Sequence, residues 1–374
     1  MPDQIVAQKP FRADHIGSLM RPPELLEARR EQAAGRIDSA QLREIENAAI
    51  RDVIKLQEDA GLEVITDGEF RRGTYSDSFT IGGVSGIRVE MTEDEGFKPS
   101  QTHGHRTARR IPKVVDKIQW RGPQNAEDLK FTRSLTDKTC KVTLPGPAYV
   151  HYRAGREHIR RDVYPNLDNF WADFVTAYHK EMRSLADAGC TYLQLDETSL
   201  VKLGDERVRL LLKERGDDWQ DLLKTYVDVV NAVIAGAPPQ MRVGVHVCRS
   251  QDPSWQADVG YDPIAQALFH NMKADLYLLE YNNERCGTFA PLSMVPKGKT
   301  IVLGLLTSST PEIEDKASVK RRIEEATKFI PLDQLALSPH CGFATGALAR
   351  TGMTLEAERA KLELCTEIAR EIWG

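Results

Sequence analysis

Eight short apolar runs, most of them followed by a longer stretch with helical spacing, constrain this chain more than any other feature. They are Ala13–Ser18, Leu62–Asp67, Lys141–Pro145, Thr191–Glu197, Met241–Cys248, Ala274–Tyr281, Lys299–Leu306 and Gln334–Cys341. Short runs dominated by Val, Leu and Ile suit strands buried on both faces, as in a parallel sheet. Between them, Phe170, Phe174, Ala177, Tyr178, Met182 and Leu185 share one face of a helix predicted over Leu167–Ala188. Further helices are expected over Met20–Gln57, over Trp219–Ala235 with Asp217 or Asp218 as cap, over Pro311–Phe329, and over Leu355–Trp373. Repeated β/α units predict an α/β fold, a (β/α)8 TIM barrel, with a doubly wound open sheet as the alternative. The chain has no G-x-G-x-x-G or G-x-x-x-x-G-K segment, which weighs against a nucleotide-binding form of that alternative. The alternation breaks over residues 71–140, rich in Gly, Thr and Arg. This segment is expected to be an excursion after the second strand, covering part of the barrel mouth within a single domain spanning 1–374.

A net charge of −5 gives no electrostatic support for nucleic-acid binding. No run of about 18 apolar residues is present, so no membrane helix is expected. Met1–Ala13 is polar and lacks the apolar core of a secretory signal. The 6 cysteines are Cys140, Cys190, Cys248, Cys286, Cys341 and Cys365, too few for a disulfide framework in 374 residues. Reduced thiols, and hence the cytoplasm, are the expectation.

Barrel enzymes place their chemistry at the C-terminal ends of strands, and polar residues gather there in this chain. The run ends are His15-Ile16-Gly17-Ser18, Thr66-Asp67-Gly68-Glu69, Gln194-Leu195-Asp196-Glu197-Thr198, His246-Val247-Cys248, Glu280-Tyr281-Asn282-Asn283 and His340-Cys341-Gly342. His246, Cys248, Glu280 and Cys341 offer one imidazole, two thiols and one carboxylate, a donor set that suits tetrahedral Zn2+. His246 and Cys248 alone could be a packed core pair, since free cysteine often serves as a small hydrophobe. Glu280 closes a Leu-Tyr-Leu-Leu run and has to be paired, protonated or metal-bound. His340 competes with Cys341, but strand alternation points it the other way. Asp67 and Glu69 flank a glycine just past a strand. They are either turn caps or partners for the ammonium group of an amino-acid substrate. Alternation lets at most one of Asp196 and Glu197 face a pocket. Ser18 could bind a carboxylate. Arg71, Arg72, Arg106, Arg109, Arg110 and Arg153 form a basic group around the excursion, whereas Lys316, Lys320, Arg321 and Arg322 read as a solvated helix face.

Taken together, these segments resemble the catalytic C-terminal barrel of cobalamin-independent methionine synthase and its short single-barrel relatives. The resemblance runs from about Arg12 to Gly374. It is carried by His15-Ile16-Gly17-Ser18, Asp67-Gly68-Glu69, Gly146-Pro147, Leu195-Asp196-Glu197, His246-Val247-Cys248, Glu280 and Pro339-His340-Cys341-Gly342. It implies a (β/α)8 barrel that moves a methyl group from 5-methyltetrahydrofolate to homocysteine. His246, Cys248, Glu280 and Cys341 would hold zinc, Ser18 and Glu69 would bind the amino-acid part of homocysteine, and Asp196 its ammonium group. His15, Asp67, Glu197, Tyr152 and Arg153 are further candidates for contacts to substrate or cofactor.

The chain also departs from that pattern. Full-length members carry a second, N-terminal barrel that helps to bind folate, and none is expected in this chain. They have a histidine after the seventh strand, where this chain reads Leu306-Thr307-Ser308-Ser309-Thr310. The tryptophan expected after Gly146-Pro147 is replaced around Tyr152-Arg153. Thiol activation survives these changes and the donor stays open: a methylated folate or another methyl carrier. Two alternatives remain. One is a zinc thiol alkyltransferase of the epoxyalkane–coenzyme M transferase type, and the other a non-catalytic zinc-binding barrel.

Overall fold

The apolar runs pair in the order in which the chain presents them. The computed structural model describes residues 11–92, 109–250, 256–344 and 352–374. Its strands are β1 (Val64–Ile65), β2 (Val84–Thr92), β3 (Arg109–Trp120), β4 (Thr139–Pro145), β5 (Tyr192–Glu197), β6 (Arg242–Val247), β7 (Leu276–Glu280), β8 (Thr300–Leu306) and β9 (Leu335–Pro339). Seven of them form one parallel sheet in the order β1-β4-β5-β6-β7-β8-β9, while β2 and β3 form a separate antiparallel ribbon. The parallel sheet is curled. Val64, Tyr192, Leu276, Leu278, Val302 and Ala336, from five of its strands, meet Ile16 in one interior cluster. The larger apolar cluster takes residues of opposite parity, such as Leu193, Leu195, Tyr277 and Leu279, together with the buried face of the helix over Leu167–Asp187. Strands covered on both faces in this way account for their nearly continuous apolar sequence.

Three expectations about elements need correction and one, the helical Met20–Gln57, is refined. Ala13–Ser18 forms no strand of its own. It makes one parallel bridge, Ala13 to Leu337 on β9, and then leaves the ladder. Beyond that bridge its backbone is satisfied elsewhere: Thr66 Oγ1 donates to Gly17 O at 2.7 Å, and Leu19 N to Gly68 O at 3.1 Å. The Leu62–Asp67 run shrinks to Val64–Ile65, because Gln57 takes the backbone of Thr66 at 2.9 Å and Asp67 turns back to cap Glu69 N at 2.9 Å. Met20–Gln57 is two helices, Pro23–Ala33 and Ser39–Asp59. They are broken at Gly35 (φ 72°), and the second is restarted by a capping box between Asp38 and Gln41. The helix expected from Pro311 starts at Lys316, capped by Asp315. Glu314 is held out of it by Thr307 N at 2.6 Å and Lys361 Nζ at 2.8 Å. Asp218 is the cap of the helix over Trp219–Ile234. Lys316 and Lys320 pair with Glu367 and Glu371 on a solvated face, as the spacing predicts. Among the described residues no helix is long and apolar enough to cross a membrane.

One buried acid of the fold gives a pH test. Glu358 accepts a hydrogen bond from Met20 N at 2.8 Å, and burial pushes its carboxyl up to about 8 from 4.5. The folded state therefore keeps a proton that the unfolded chain has already lost between those two values. Stability falls as pH rises through that window. Glu358→Gln keeps the acceptor and removes the slope. Its melting temperature, compared with the parent's at pH 5 and at pH 9, is expected to hold up better at the higher pH.

Candidate metal centre

Inward positions on neighbouring strands bring the site together. Asp196 on β5 lies in register with His246 on β6, and Glu280 ends β7. Cys248 continues the β6 ladder by one bond, its N donating to Glu197 O at 3.0 Å, and Cys341 sits in the turn that follows β9. One ligating atom each from His246, Cys248, Glu280 and Cys341 lies within 4.8 Å of all the others, and all four residues are buried. The two sulfurs are 3.8 Å apart.

The surroundings orient each donor. His246 Nδ1 faces Leu278 O at 3.3 Å, which leaves Nε2 as the free lone pair. That Nε2 is buried and has no hydrogen-bond partner among the described residues. A buried nitrogen left without a partner is costly, and a metal ion offsets that cost. Glu280 Oε1 accepts from Arg249 N at 2.7 Å, and Tyr261 Oη accepts from Glu280 N at 2.9 Å. Ser250 N donates to Cys248 Sγ at 3.4 Å. The residues present thus fit a tetrahedral zinc ion in number, type and convergence.

The electrostatics show four groups competing for few protons. Burial pushes the Glu280 carboxyl up to about 8, aided by the nearby Cys248. Burial disfavours a charged imidazole, yet Cys248, Asp196 and Glu280 together hold His246 at about 9. Hydrogen bonding from Cys341 drives the Cys248 thiol down, and the same contact drives Cys341 up. A divalent cation would suit this arrangement, since it would take the place of the shared protons.

Beside the centre stand two more buried carboxylates. Glu69, in the left-handed region at φ 61°, accepts from Thr143 Oγ1 at 2.7 Å and lies 3.3 Å from Arg72 Nη1. Arg72 in turn donates to Thr143 Oγ1 and Thr143 O, both at 2.7 Å. Asp196 has His246 and Glu69 among its charged neighbours, and burial pushes its carboxyl up to about 7. Ser18 is buried against the turn that carries Cys341. A Cβ on Gly342 would sit 2.0 Å from Ser18 Oγ, so only glycine lets the backbone approach so closely.

A model of the cobalamin-independent synthase catalytic domain matches residues 11–364. The chain belongs to that family. Among its relatives, the Bacillus subtilis protein YxjH, itself uncharacterized, is 36% identical over 97% of this chain and 95% of its own. A Pyrococcus abyssi methionine synthase is 25% identical over 87% of this chain and 84% of its own. A crystal structure from Listeria monocytogenes, assigned as a vitamin-B12-independent methionine synthase, covers 98% of both chains with a TM-score of 0.76 and 34% identity.

The family match spans the four donors together with Ser18, Glu69 and Asp196. The other candidates hold partners of their own, and Lys202 beside Tyr152 and Arg153 has Cys248 and Glu280 among its charged neighbours. Asp67 caps its own turn and lines a cavity of about 130 Å³ with Arg71 and Asp128. His15 has Lys141, Asp14, Val64 and Gln57 for neighbours, and burial pushes it down to about 4. Glu197 turns to the other side of β5, where Ser199 N donates to it at 2.8 Å. Tyr152 is buried in the main core, and the Lys202 ammonium lies 6.0 Å from its ring. Arg153 sits beside Tyr149, Tyr75 and Tyr152. His340 turns away from the centre, its Nδ1 accepting from Ser308 N at 3.0 Å. Arg106 lies outside the described residues. Sequence reasoning missed Thr143, Arg249 and Tyr261, and named Arg72 only within the basic group around the excursion. Only strand parity signals one of them: Thr143 is two positions from Lys141 and shares its inward face.

Proposed function

We propose that this chain is a zinc-dependent methyltransferase that passes a methyl group to the sulfur of homocysteine, giving methionine. The sheet is read as a (β/α)8 barrel with Ala13–Ser18 as its eighth stave and residues 71–140 as an excursion at its mouth. His246, Cys248, Glu280 and Cys341 would be the zinc ligands. The observation that carries the reading is the convergence of these four donors, with His246 Nε2 unpartnered among the described residues, beside the buried carboxylates of Glu69 and Asp196. Zinc held there would lower the pKa of an incoming thiol and so supply it as a nucleophile at neutral pH.

The chain's own residues do the rest. Asp196 and Glu69 receive the substrate ammonium, and Ser18 its carboxylate. Together they fix the sulfur in line with the methyl carbon, which supplies much of the rate. A sulfur–carbon bond forms as the bond from that carbon to its carrier breaks, and the carrier atom takes up a proton. The donor is a methylated folate or another methyl carrier. Two acidic groups favour a thiol that bears an amine over one that bears only an anion. Ligands of this kind need reduced thiols, in keeping with a cytoplasmic setting and with all 6 cysteines being free.

The test is to titrate zinc-loaded protein with homocysteine, with coenzyme M and with simple thiols. X-ray absorption at the zinc edge and proton release are followed together. Homocysteine is expected to add a sulfur scatterer, whereas no added sulfur with any thiol would overturn the reading. Glu69→Gln should weaken homocysteine binding by about tenfold or more, the scale of a lost hydrogen bond to a charged group, and leave zinc content unchanged. Isothermal titration with a parallel metal assay checks it.

A further inference from the structure

Beneath the carboxylates lies a second polar layer. Lys141 on β4 is fully buried, with 0% side-chain exposure, and its ammonium contacts Asp14 Oδ1 at 2.8 Å, Gln194 Oε1 at 2.9 Å and His15 O. Tyr192 Oη donates to Asp14 Oδ2 at 2.7 Å. All of this sits against the apolar interior cluster that contains Leu276, Leu278, Val302 and Ala336. A buried ion pair in such a setting adds little net stability over a well-packed apolar replacement. Its presence therefore calls for another role.

The role follows from Gln194. An ammonium group only donates, so the amide oxygen of Gln194 has to face Lys141 and its NH2 has to face the other way. There Nε2 donates to Ile16 O at 2.6 Å and to Asp196 Oδ1 at 2.7 Å. Both amide hydrogens are committed. One oxygen of Asp196 is thereby pinned, and Oδ2 makes no hydrogen bond among the described residues. We infer that Gln194, itself oriented by Lys141, is a positioning residue that holds Asp196 as an acceptor for a substrate ammonium group. It thereby selects amino-acid thiols over thiols that lack the amine. This rests on the reading of Asp196 given above. It adds a specificity device reaching in from the far side of the sheet interior, through residues that touch neither metal nor substrate.

Selectivity is the readout, because a merely structural role would not move it. Zinc-loaded protein is titrated calorimetrically with L-homocysteine and with 4-mercaptobutanoate, which is the same thiol acid without the amine. The parent is expected to prefer homocysteine by about tenfold or more, as expected where a buried acceptor is left unpaired by the analogue. Gln194→Glu preserves shape and the contact with Lys141 but cannot donate to Asp196, and Gln194→Leu removes both contacts. Both variants should lose most of the preference while 4-mercaptobutanoate affinity and zinc content stay at parental values. Should the Leu variant not fold, the Glu variant carries the test alone. If both thiols weaken equally, or the Gln194 variants keep the preference while Asp196→Asn loses it, the inference is overturned and the Asp196 reading stands. If Asp196→Asn also keeps the parental preference, the Asp196 reading itself fails and takes the inference with it.

Discussion

Replacing Cys341 by serine is expected to strip the metal centre of zinc, whereas Cys190→Ser retains it. The Cys341 sulfur lies 3.8 Å from that of Cys248 and belongs to the buried quartet, and a serine hydroxyl is a shorter and poorer zinc ligand. Changing a mere second-sphere partner of a zinc ligand commonly costs 10- to 100-fold in affinity, so loss of a direct ligand should cost at least about 100-fold. Cys190 is equally buried, but its thiol is engaged by backbone groups, donating to Tyr192 O at 3.3 Å, a bond that a serine hydroxyl can reproduce. Competition against a coloured chelator, with metal content measured after dialysis, reads both variants. The parent should also gain thermal stability on zinc addition, since a ligand bound only by the folded state stabilises it, and Cys341→Ser should gain none. Equal zinc retention in the two variants would remove Cys341 from the site.

What could be read in advance divides along a physical line. Strands β4 to β9 were legible because burial on both faces writes a local signature, an unbroken apolar run. The quartet was legible because imidazole, thiol and carboxylate at the ends of such runs have few bland explanations. Ala13–Ser18 misled because its apolar residues do face the interior, as Ile16 shows, while its hydrogen bonds go to Thr66 and Gly68 instead of a full ladder. Glu314 misled in the opposite sense. It sits in a stretch with good helical spacing, but a buried lysine 47 residues away holds it outside the helix. The roles of Arg72, Thr143 and Gln194 were invisible for a related reason. Amides, hydroxyls and guanidinium groups can be satisfied almost anywhere, so their importance emerges only once their partners are known. Lys141 is the extreme case, appearing as the polar start of a strand until Asp14, 127 residues earlier, is seen to neutralise it.

Lys141→Met is expected to be the most destabilising single substitution in the interior of the sheet, at roughly 3–5 kcal/mol, the usual cost of removing one partner of a buried ion pair. Methionine fills a similar volume, so little of the loss would come from a cavity. The loss arises because Asp14, with 2% side-chain exposure, loses its counter-ion, while Gln194 Oε1 and His15 O lose their donor. The exposed pair Lys55–Asp59 gives the contrast: with side-chain exposures of 73% and 41%, its removal by Lys55→Ala should change stability by no more than about 0.5 kcal/mol. Urea unfolding midpoints, followed by circular dichroism, measure both. A double variant, Lys141→Met with Asp14→Leu, distinguishes the causes. If the single loss comes from an orphaned charge, the double variant recovers much of it, because apolar replacements of buried pairs are often neutral. If it comes from packing, the double variant is worse than either single one. Recovered stability in the double variant, with zinc retained but the preference for an amine-bearing thiol gone, would show that this buried pair is kept for recognition and not for the fold.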